Sequence, residues 1–115
     1  MQVAPGKGAA AEAIAETYLT RRGLTVLERN WRVRGGEIDL ICQDGRTLIF
    51  VEVRLRTGHD YGGAAESITL AKRHRLILAA RHYLAGKPEV PCRFDAVLMD
   101  GLDEAHLEWI RNAFA

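Results

Sequence analysis

Two apolar runs separated by a short polar break dominate the middle of the chain. The first covers residues 35–41 and contains two isoleucines and a leucine, and the second covers residues 48–54 and is rich in Leu, Ile and Val. The break contains Asp44-Gly45, and Asp-Gly between strand-like runs predicts a tight hairpin because both central residues of such a turn need positive φ. We therefore expect the chain to fold around a largely buried β-hairpin.

Three carboxylates interrupt these apolar runs, Glu37 and Asp39 in the first and Glu52 in the second. With Asp44-Gly45 as the turn, Glu37 faces Glu52 and Asp39 faces Phe50. Side chains alternate along a strand, so all three acids are expected on one face of the hairpin. The inference depends on register, because a three-residue loop would turn Glu52 to the face opposite Asp39.

Like charges that face each other destabilise a sheet, so this cluster needs a cation or a proton held by a raised pKa. Oxygen ligands from one or two carboxylates suit Mg²⁺ or Mn²⁺. Arg54 points to the same face as Glu52 and would hold a phosphate or a developing negative charge. The simpler alternative places the acids at a solvated sheet edge, paired with arginines. Apolar flanks on both strands favour the metal site over that alternative.

The hairpin residues also resemble a known signature. Gly36-Glu37-Ile38-Asp39 followed by Val51-Glu52-Val53-Arg54 resembles the Asp…Glu-x-Lys pattern of the PD-(D/E)xK nuclease superfamily, and specifically the bacterial UPF0102, or YraN-like, family. The resemblance covers nearly the whole chain. Other matching segments are Glu12-x-x-Ala15-x-x-Tyr18-Leu19, Asn30-Trp31-Arg32, Tyr61-Gly62-Gly63, Lys72 and Arg93-Phe94-Asp95.

This resemblance implies a restriction-endonuclease-like fold similar to that of archaeal Holliday-junction resolvases. It also implies that Asp39 and Glu52 are metal ligands and that Glu12 is a further acid near them. Arg54 departs from the pattern, because a lysine usually stands at that position. A guanidinium stays protonated, so Arg54 cannot serve as a base and would act by stabilising charge on a phosphate oxygen.

Length and charge bound the alternatives. The 115 residues, 48% of them hydrophobic, predict a single domain over 1–115. The net charge of +1 is unevenly distributed, since residues 21–81 hold twelve basic and seven acidic side chains. The excess of arginine favours bidentate phosphate contacts, although it is equally typical of GC-rich genomes. The candidate contacts to nucleic acid are Arg34, Arg56, Lys72 and Arg75.

The periodicity predicts an α/β (α+β) domain in the order α-β-β-β-α-β, a mixed sheet flanked by helices. We expect helices over 9–22 and 65–84, the second burying Ile68, Ala71, Leu76, Ala79 and Ala80. The expected strands are 24–28, 37–42, 47–54 and 93–99, with a further short one over 106–110. Residues 55–63 are predicted to form a mobile loop beside the site, and His59 in that loop is a candidate proton carrier.

Several function classes are disfavoured. Gly6-Lys7-Gly8 lacks the flanking residues of a P-loop, which argues against nucleotide hydrolysis. Cys42 and Cys92 lie in apolar runs and are expected to be buried free thiols. The beginning of the chain has no signal-peptide pattern, and no run approaches membrane-spanning length. A cytoplasmic protein without a membrane partner is expected.

The sequence therefore predicts a metal-dependent nuclease-like protein that hydrolyses DNA phosphodiesters, with branched or damaged DNA as the substrate. Mg²⁺ or Mn²⁺ at Asp39 and Glu52 would activate water, Glu37 would be a supporting or second-metal acid, and Glu12 a ligand or water orienter. One alternative is a nucleic-acid-binding module in recombination or repair that does not cut. Another is an interaction protein whose acids are held by arginines of a second subunit. A two-fold homodimer would match a junction with two symmetric strands.

Overall fold

A five-stranded sheet with one helix on each face forms the core of the protein. The computed structural model describes residues 7–56 and 68–114. The elements in chain order are α1 (Lys7–Arg21), β1 (Thr25–Val33), β2 (Gly36–Asp44), β3 (Thr47–Leu55), α2 (Leu70–Leu84), β4 (Cys92–Met99), a single 3₁₀ turn (Glu104–His106) and β5 (Leu107–Ile110). The predicted class and order are confirmed, and β5 is the short final strand expected near the end of the chain.

The strands lie in the sheet in the same order as in the chain, from β1 to β5. All neighbouring pairs are antiparallel except β3 and β4, which are parallel. A parallel pair needs a crossover connection, and α2 lies within that connection. The sheet is therefore mixed, with β2, β3 and β4 as inner strands and β1 and β5 at its edges.

The turn of the β2–β3 hairpin differs from the predicted one. Asp44 pairs with Thr47, so the central turn residues are Gly45 and Arg46, and Gly45 has φ +59°. Positive φ is needed only at the first central position of this kind of turn, and glycine supplies it there at no steric cost. Asp44 can therefore remain extended and paired at the end of β2.

This turn shifts each cross-strand partner by two residues. Phe50 faces Ile41, so the predicted pairing of Phe50 with Asp39 is wrong. The predicted pairing of Glu37 with Glu52 is wrong for the same reason. A shift of two residues keeps every side chain on its original face of the sheet, because strand side chains alternate with a period of two.

The two helices cover opposite faces of the sheet. The helix α1 places Ala11, Ala15 and Leu19 against a cluster that includes residues from β2, β3 and β4. The helix α2 places Leu76, Ala79 and Ala80 on the other face, where Ile68 is also buried. These four residues agree with the predicted buried set. Ala71 is exposed, so its predicted burial is wrong; it lies in the first turn of α2, away from the strands.

Gly36 lets α2 approach β2 closely. A Cβ atom on Gly36 would lie 2.5 Å from the Arg75 carbonyl oxygen and 3.1 Å from the Ala79 nitrogen. Real Cβ atoms essentially never come as close as 2.5 Å to a backbone oxygen, so any larger residue would force the helix away. The missing side chain at Gly36 therefore sets the position of α2 beside the strand that carries the first two acids.

The edge strand β1 is longer than the predicted 24–28. It continues to Val33 through a bulge between Val26 and Glu28 and through Asn30, which has φ +50°. Asparagine tolerates this left-handed region better than most residues. The second half of β1 is polar and lacks the alternation of apolar residues that predicts a strand, so the predicted strand ended too early. Charged residues are nevertheless common at exposed sheet edges.

A buried carboxylate fixes the last part of the chain. Asp95 is 0% exposed and accepts hydrogen bonds from the Arg93 guanidinium, from Trp109 Nε1 at 3.0 Å and from the Asn112 backbone nitrogen at 2.9 Å. Every hydrogen bond goes to a structural neighbour, so Asp95 ties β5 and the following turn to β4. It is a structural group within a fully satisfied network.

The two cysteines have different surroundings. Cys42 is buried as predicted, and burial raises the pKa of its thiol to about 12. Cys92 is exposed at the first position of β4, so its predicted burial is wrong. Neither α1 nor α2 is long and apolar enough to cross a membrane.

Candidate functional site

Asp39 and Glu52 are neighbouring acids where the β2–β3 ladder ends. The last ladder pair is Leu40 with Val51. Beyond it, Asp39 Oδ2 accepts a hydrogen bond from the Val53 backbone nitrogen at 2.9 Å. Each of the two acids affects the pKa of the other. Two neighbouring carboxyl groups favour a state in which one of them keeps a proton when no cation is bound.

The surroundings of the pair favour its protonated form. Glu52 is 9% exposed, and burial, followed by the charge of Asp39, raises its pKa to about 8. Burial also raises the pKa of Asp39, although the Val53 N–H and the Glu52 side chain act in the opposite direction. Desolvation and a like charge both disfavour a second negative charge here. A cation bound in place of a proton at these acids would relieve this cost.

Glu37 and two cations of α2 lie beside the pair. Glu37, Glu52, Lys72 and Arg75 line one pocket. Lys72 Nζ lies 3.8 Å from Glu52 Oε1, and Arg75 Nη2 lies 4.0 Å from Glu37 Oε1. On the other side, Arg32 Nε lies 3.4 Å from Glu37 Oε2. The acid pair thus has a rim of positive charge supplied by α2 and β1.

The beginning of α2 delivers Lys72 to this pocket. Thr69 is the N-cap residue, and its Oγ1 accepts a hydrogen bond from the Lys72 backbone nitrogen at 3.2 Å. Such a cap fixes the first turn of a helix, and the unpaired N–H groups there carry partial positive charge. Lys72 therefore adds its ammonium to a helix end that already attracts anions.

Glu12 approaches Asp39 from α1. It is half-buried, and burial together with the charge of Asp39 raises its pKa, while a hydrogen bond from the Asn30 side chain lowers it. The positive φ of Asn30 accompanies this contact. In the sequence Asn30 is only part of a matching segment, and its contact with Glu12 was not predicted. An asparagine within a charged edge strand is the feature that could have indicated a residue with positive φ.

Other predicted site residues are less directly placed. Within residues 7–56 and 68–114, Arg54 forms no salt bridge, and its buried Nε has no hydrogen-bond partner. Arg34 is exposed in the turn after β1. Arg56 is ion-paired, with its Nε 2.9 Å from Asp100 Oδ1, and its side chain is only 14% exposed. A phosphate would have to compete with Asp100 for Arg56.

Some sequence-based candidates cannot be compared with the fold. His59 and the Tyr61-Gly62-Gly63 segment lie outside the described residues, as do residues 57–63 of the loop predicted over 55–63 and the predicted helix start at 65. Leu55 is the last residue of β3.

The oxygen atoms of the acid pair suit a hard divalent cation. In the described part of the chain, no three His, Cys, Asp or Glu side chains converge as a ready-made metal site. Mg²⁺ does not require one, because it is commonly held by one or two carboxylates with water and substrate phosphate completing its shell. Asp39 and Glu52 supply that donor set. Their raised pKa values indicate that the negative charges of the ionised pair are not fully compensated by the surrounding residues. The residues present therefore fit Mg²⁺ or Mn²⁺.

Comparison with known proteins assigns the family. The family model described as "Uncharacterised protein family UPF0102" matches residues 11–99. The chain belongs to the UPF0102 family. A UPF0102 protein of Dechloromonas aromatica is 59% identical over 109 residues, covering 95% of this chain and 88% of the relative. One from Nitrosomonas europaea is 56% identical over 115 residues (99% and 98%), and one from Aeromonas hydrophila is 49% identical over 115 residues (96% and 86%).

The site lies entirely within the region that matches the UPF0102 model. The matched range begins before Glu12 and ends at Met99, the last residue of β4. It includes the acid pair, Glu37 and both α2 cations. The site is therefore formed by the part of the chain that defines family membership.

Proposed function

We propose that this UPF0102 protein is a metal-dependent endonuclease that hydrolyses DNA phosphodiesters, with branched DNA as a candidate substrate. One observation carries the proposal: Asp39 and Glu52 lie side by side next to the Lys72 ammonium, which is 3.8 Å from Glu52 Oε1, and burial raises the pKa of both acids. A purely structural acid pair would have its counter-charges in contact with it, as Asp95 does with Arg93. Here the cations stand at the rim, where an anionic substrate would meet them.

Asp39 and Glu52 would hold Mg²⁺ or Mn²⁺, which supplies Lewis acidity that lowers the pKa of water and neutralises phosphate charge. The Val53 N–H orients the Asp39 carboxylate by holding Oδ2. Glu12 would orient water from the α1 side. In the overall reaction, water attacks phosphorus and the bond to one sugar oxygen breaks. One water proton ends on that oxygen and the other passes to solvent.

The rim cations would bind phosphates on either side of the reacting group. Arg32, Lys72 and Arg75 are 71%, 41% and 55% exposed at their side chains, so all three are accessible to a large ligand. Arginine forks match phosphate oxygens, and such contacts depend little on base sequence. We expect Glu37 to hold Arg32 and Arg75 in place. We also expect a cytoplasmic location and a two-fold homodimer on a symmetric junction.

The test is cleavage of a labelled panel of duplex, flap, four-way junction and single-stranded DNA in the presence of Mn²⁺. The wild type should cut at least one substrate, and Asp39→Ala should lose this activity. Asp44→Ala is the matched control, because Asp44 is an exposed acid on the same strand. Equal cutting by the wild type and Asp39→Ala would point to a contaminating nuclease and remove support for the proposal.

One observation favours a second candidate, a nucleic-acid-binding module of the same fold that does not cut. Arg54 occupies the position at which the nuclease pattern has lysine, and a guanidinium cannot act as a base. If the wild type bound the panel in a salt-dependent way but cut no member of it with Mn²⁺ or Mg²⁺, the binding module would replace the nuclease.

A further inference from the structure

The cation nearest the acid pair comes from α2 and not from β3. We propose that Lys72, rather than Arg54, is the cation that contacts the reacting phosphate. The inference rests on the proposed function, because it assigns a residue to that reaction. It changes the role of Lys72 from one of several peripheral phosphate contacts to a catalytic residue.

Three observations place Lys72 at the reaction centre. Its Nζ lies 3.8 Å from Glu52 Oε1, a distance at which the charges attract without a tight hydrogen bond. Its side chain is 41% exposed, whereas that of Glu52 is 11% exposed, so the ammonium lies between the buried acid and solvent. It also lines the pocket shared by Glu37, Glu52 and Arg75. A phosphate that approached the acid pair would meet Lys72 Nζ.

Arg54 has a different environment. It lies opposite Leu98 of β4, a fully buried residue, and its own Nε is buried. It forms no ion pair with Asp39, Glu52 or any other acid of the described ranges. Its position two residues after Glu52 therefore does not make it the phosphate contact.

Lys72 can change partners without a change in the backbone. In the free protein its ammonium partly balances the negative charge of the acid pair. If Glu52 were bound to a divalent cation, the flexible four-carbon stem of Lys72 would let Nζ turn to a non-bridging phosphate oxygen. The capped first turn of α2 keeps the Lys72 backbone in place during this exchange. The contact would strengthen as negative charge develops on the phosphate, which is the condition for lowering a barrier.

The test compares Lys72→Met, Lys72→Arg, Arg54→Met and Arg54→Lys with the wild type. Arg81→Met is the control for loss of one positive charge, since Arg81 is exposed and lies farther along the same helix. Single-turnover cleavage with Mn²⁺ on the best substrate of the panel measures the chemical step. Duplex binding in EDTA measures affinity without cleavage. Isothermal titration measures Mn²⁺ affinity, and circular dichroism confirms the fold of each variant.

We expect Lys72→Met to cleave about 100-fold or more slowly, the usual effect of removing one electrostatic donor. Its DNA affinity should fall only as much as that of Arg81→Met, because each loses one phosphate contact at most. The affinity of Lys72→Met for Mn²⁺ should rise several-fold, because the variant lacks the positive charge of Lys72 that repels the metal ion. Lys72→Arg should recover part of the rate, and both Arg54 variants should stay within about tenfold of the wild type.

Three results would overturn the inference alone. One is wild-type cleavage by Lys72→Met. Another is a loss of rate in Lys72→Met that its loss of DNA affinity accounts for. The third is a large loss of rate in both folded Arg54 variants together with normal cleavage by Lys72→Met, which would return the role to Arg54. A wild type that cuts no substrate and binds no Mn²⁺ would overturn the proposed function, and the inference with it.

Discussion

The raised pKa of Glu52 predicts how the stability of the protein depends on pH in the absence of metal. The pKa of Glu52 is raised from 4.5 to about 8, first by burial and then by the charge of Asp39. Between these two pH values the folded protein binds a proton that the unfolded chain has released. The free energy of unfolding is therefore expected to fall as pH rises. The contribution is complete below pH 4.5 and is lost as pH passes about 8.

The magnitude follows from the size of the shift. Each pH unit between the two pKa values corresponds to about 1.4 kcal/mol, so the full shift would amount to about 5 kcal/mol. The charge of Lys72 lowers this pKa and is already included in the shift. Water entry at the exposed rim would reduce the cost, so we expect about 2–3 kcal/mol. That is a large share of the total stability of a domain of this size.

The measurement is urea unfolding in EDTA from pH 5 to pH 9, followed by tryptophan fluorescence, for the wild type and Glu52→Gln. The two proteins should have similar stability at pH 5, where a protonated Glu52 resembles glutamine. At pH 9 the variant should be more stable by about 2–3 kcal/mol. The difference between the two curves cancels the other titrating groups, which both proteins share.

Glu16→Gln serves as the control for loss of a glutamate. A hydrogen bond with Arg29 lowers the pKa of Glu16, so this acid is ionised throughout the tested range in both folded and unfolded protein. Its removal should leave the slope of stability against pH unchanged. Parallel curves for the wild type and Glu52→Gln would refute the reasoning, because they would mean that folding does not change the proton affinity of the acid pair.

Three further predictions concern the metal, the nucleic acid and the fold. Millimolar Mn²⁺ should raise the melting temperature of the wild type at pH 8 by several degrees but leave that of Asp39→Ala unchanged in a thermal-shift assay; an equal rise in both would remove the site. DNA affinity should fall steeply with salt in fluorescence anisotropy, and the slope should decrease by about one for each phosphate contact removed; a salt-independent affinity would favour the interaction protein. Gly36→Ala should lower the free energy of unfolding by about 1–3 kcal/mol in urea titrations, since its Cβ would meet the α2 backbone; no loss would mean that α2 is free to shift.

The grouping of the acids could be read from the sequence, but the details of their pairing could not. The period-two alternation placed Asp39 and Glu52 on one face whichever two-residue turn formed. The choice between Asp44-Gly45 and Gly45-Arg46 as the turn depends on which residue takes positive φ. Both turns are compatible with the local sequence. In the structure Asp44 pairs with Thr47, so Gly45 takes the first central position of the turn, where its positive φ has no steric cost.

The contribution of α2 to the site depends on long-range packing and was only partly predictable. Lys72 follows Glu52 by twenty residues, and its ammonium reaches Glu52 because Gly36 lets α2 lie directly on β2. A single sequence shows neither that distance nor the buried Nε of Arg54. Spacing along β3 suggested Arg54 as the neighbour of Glu52, since two residues on one strand face share a direction. A shared direction does not bring a side chain into contact.

The charge distribution of the site connects its stability to its proposed chemistry. The acid pair is costly to ionise in the free protein, and its nearest cation, Lys72, stops short of a tight salt bridge. A site arranged for stability alone would close that gap, as Arg93 does around Asp95 with contacts of 3.0–3.2 Å. Among the residues that the structure describes, the buried acids Glu52 and Asp95 therefore differ in how far their charges are compensated. The incomplete compensation at Glu52 keeps its carboxylate and the facing ammonium available to a divalent cation and an anionic ligand that arrive together.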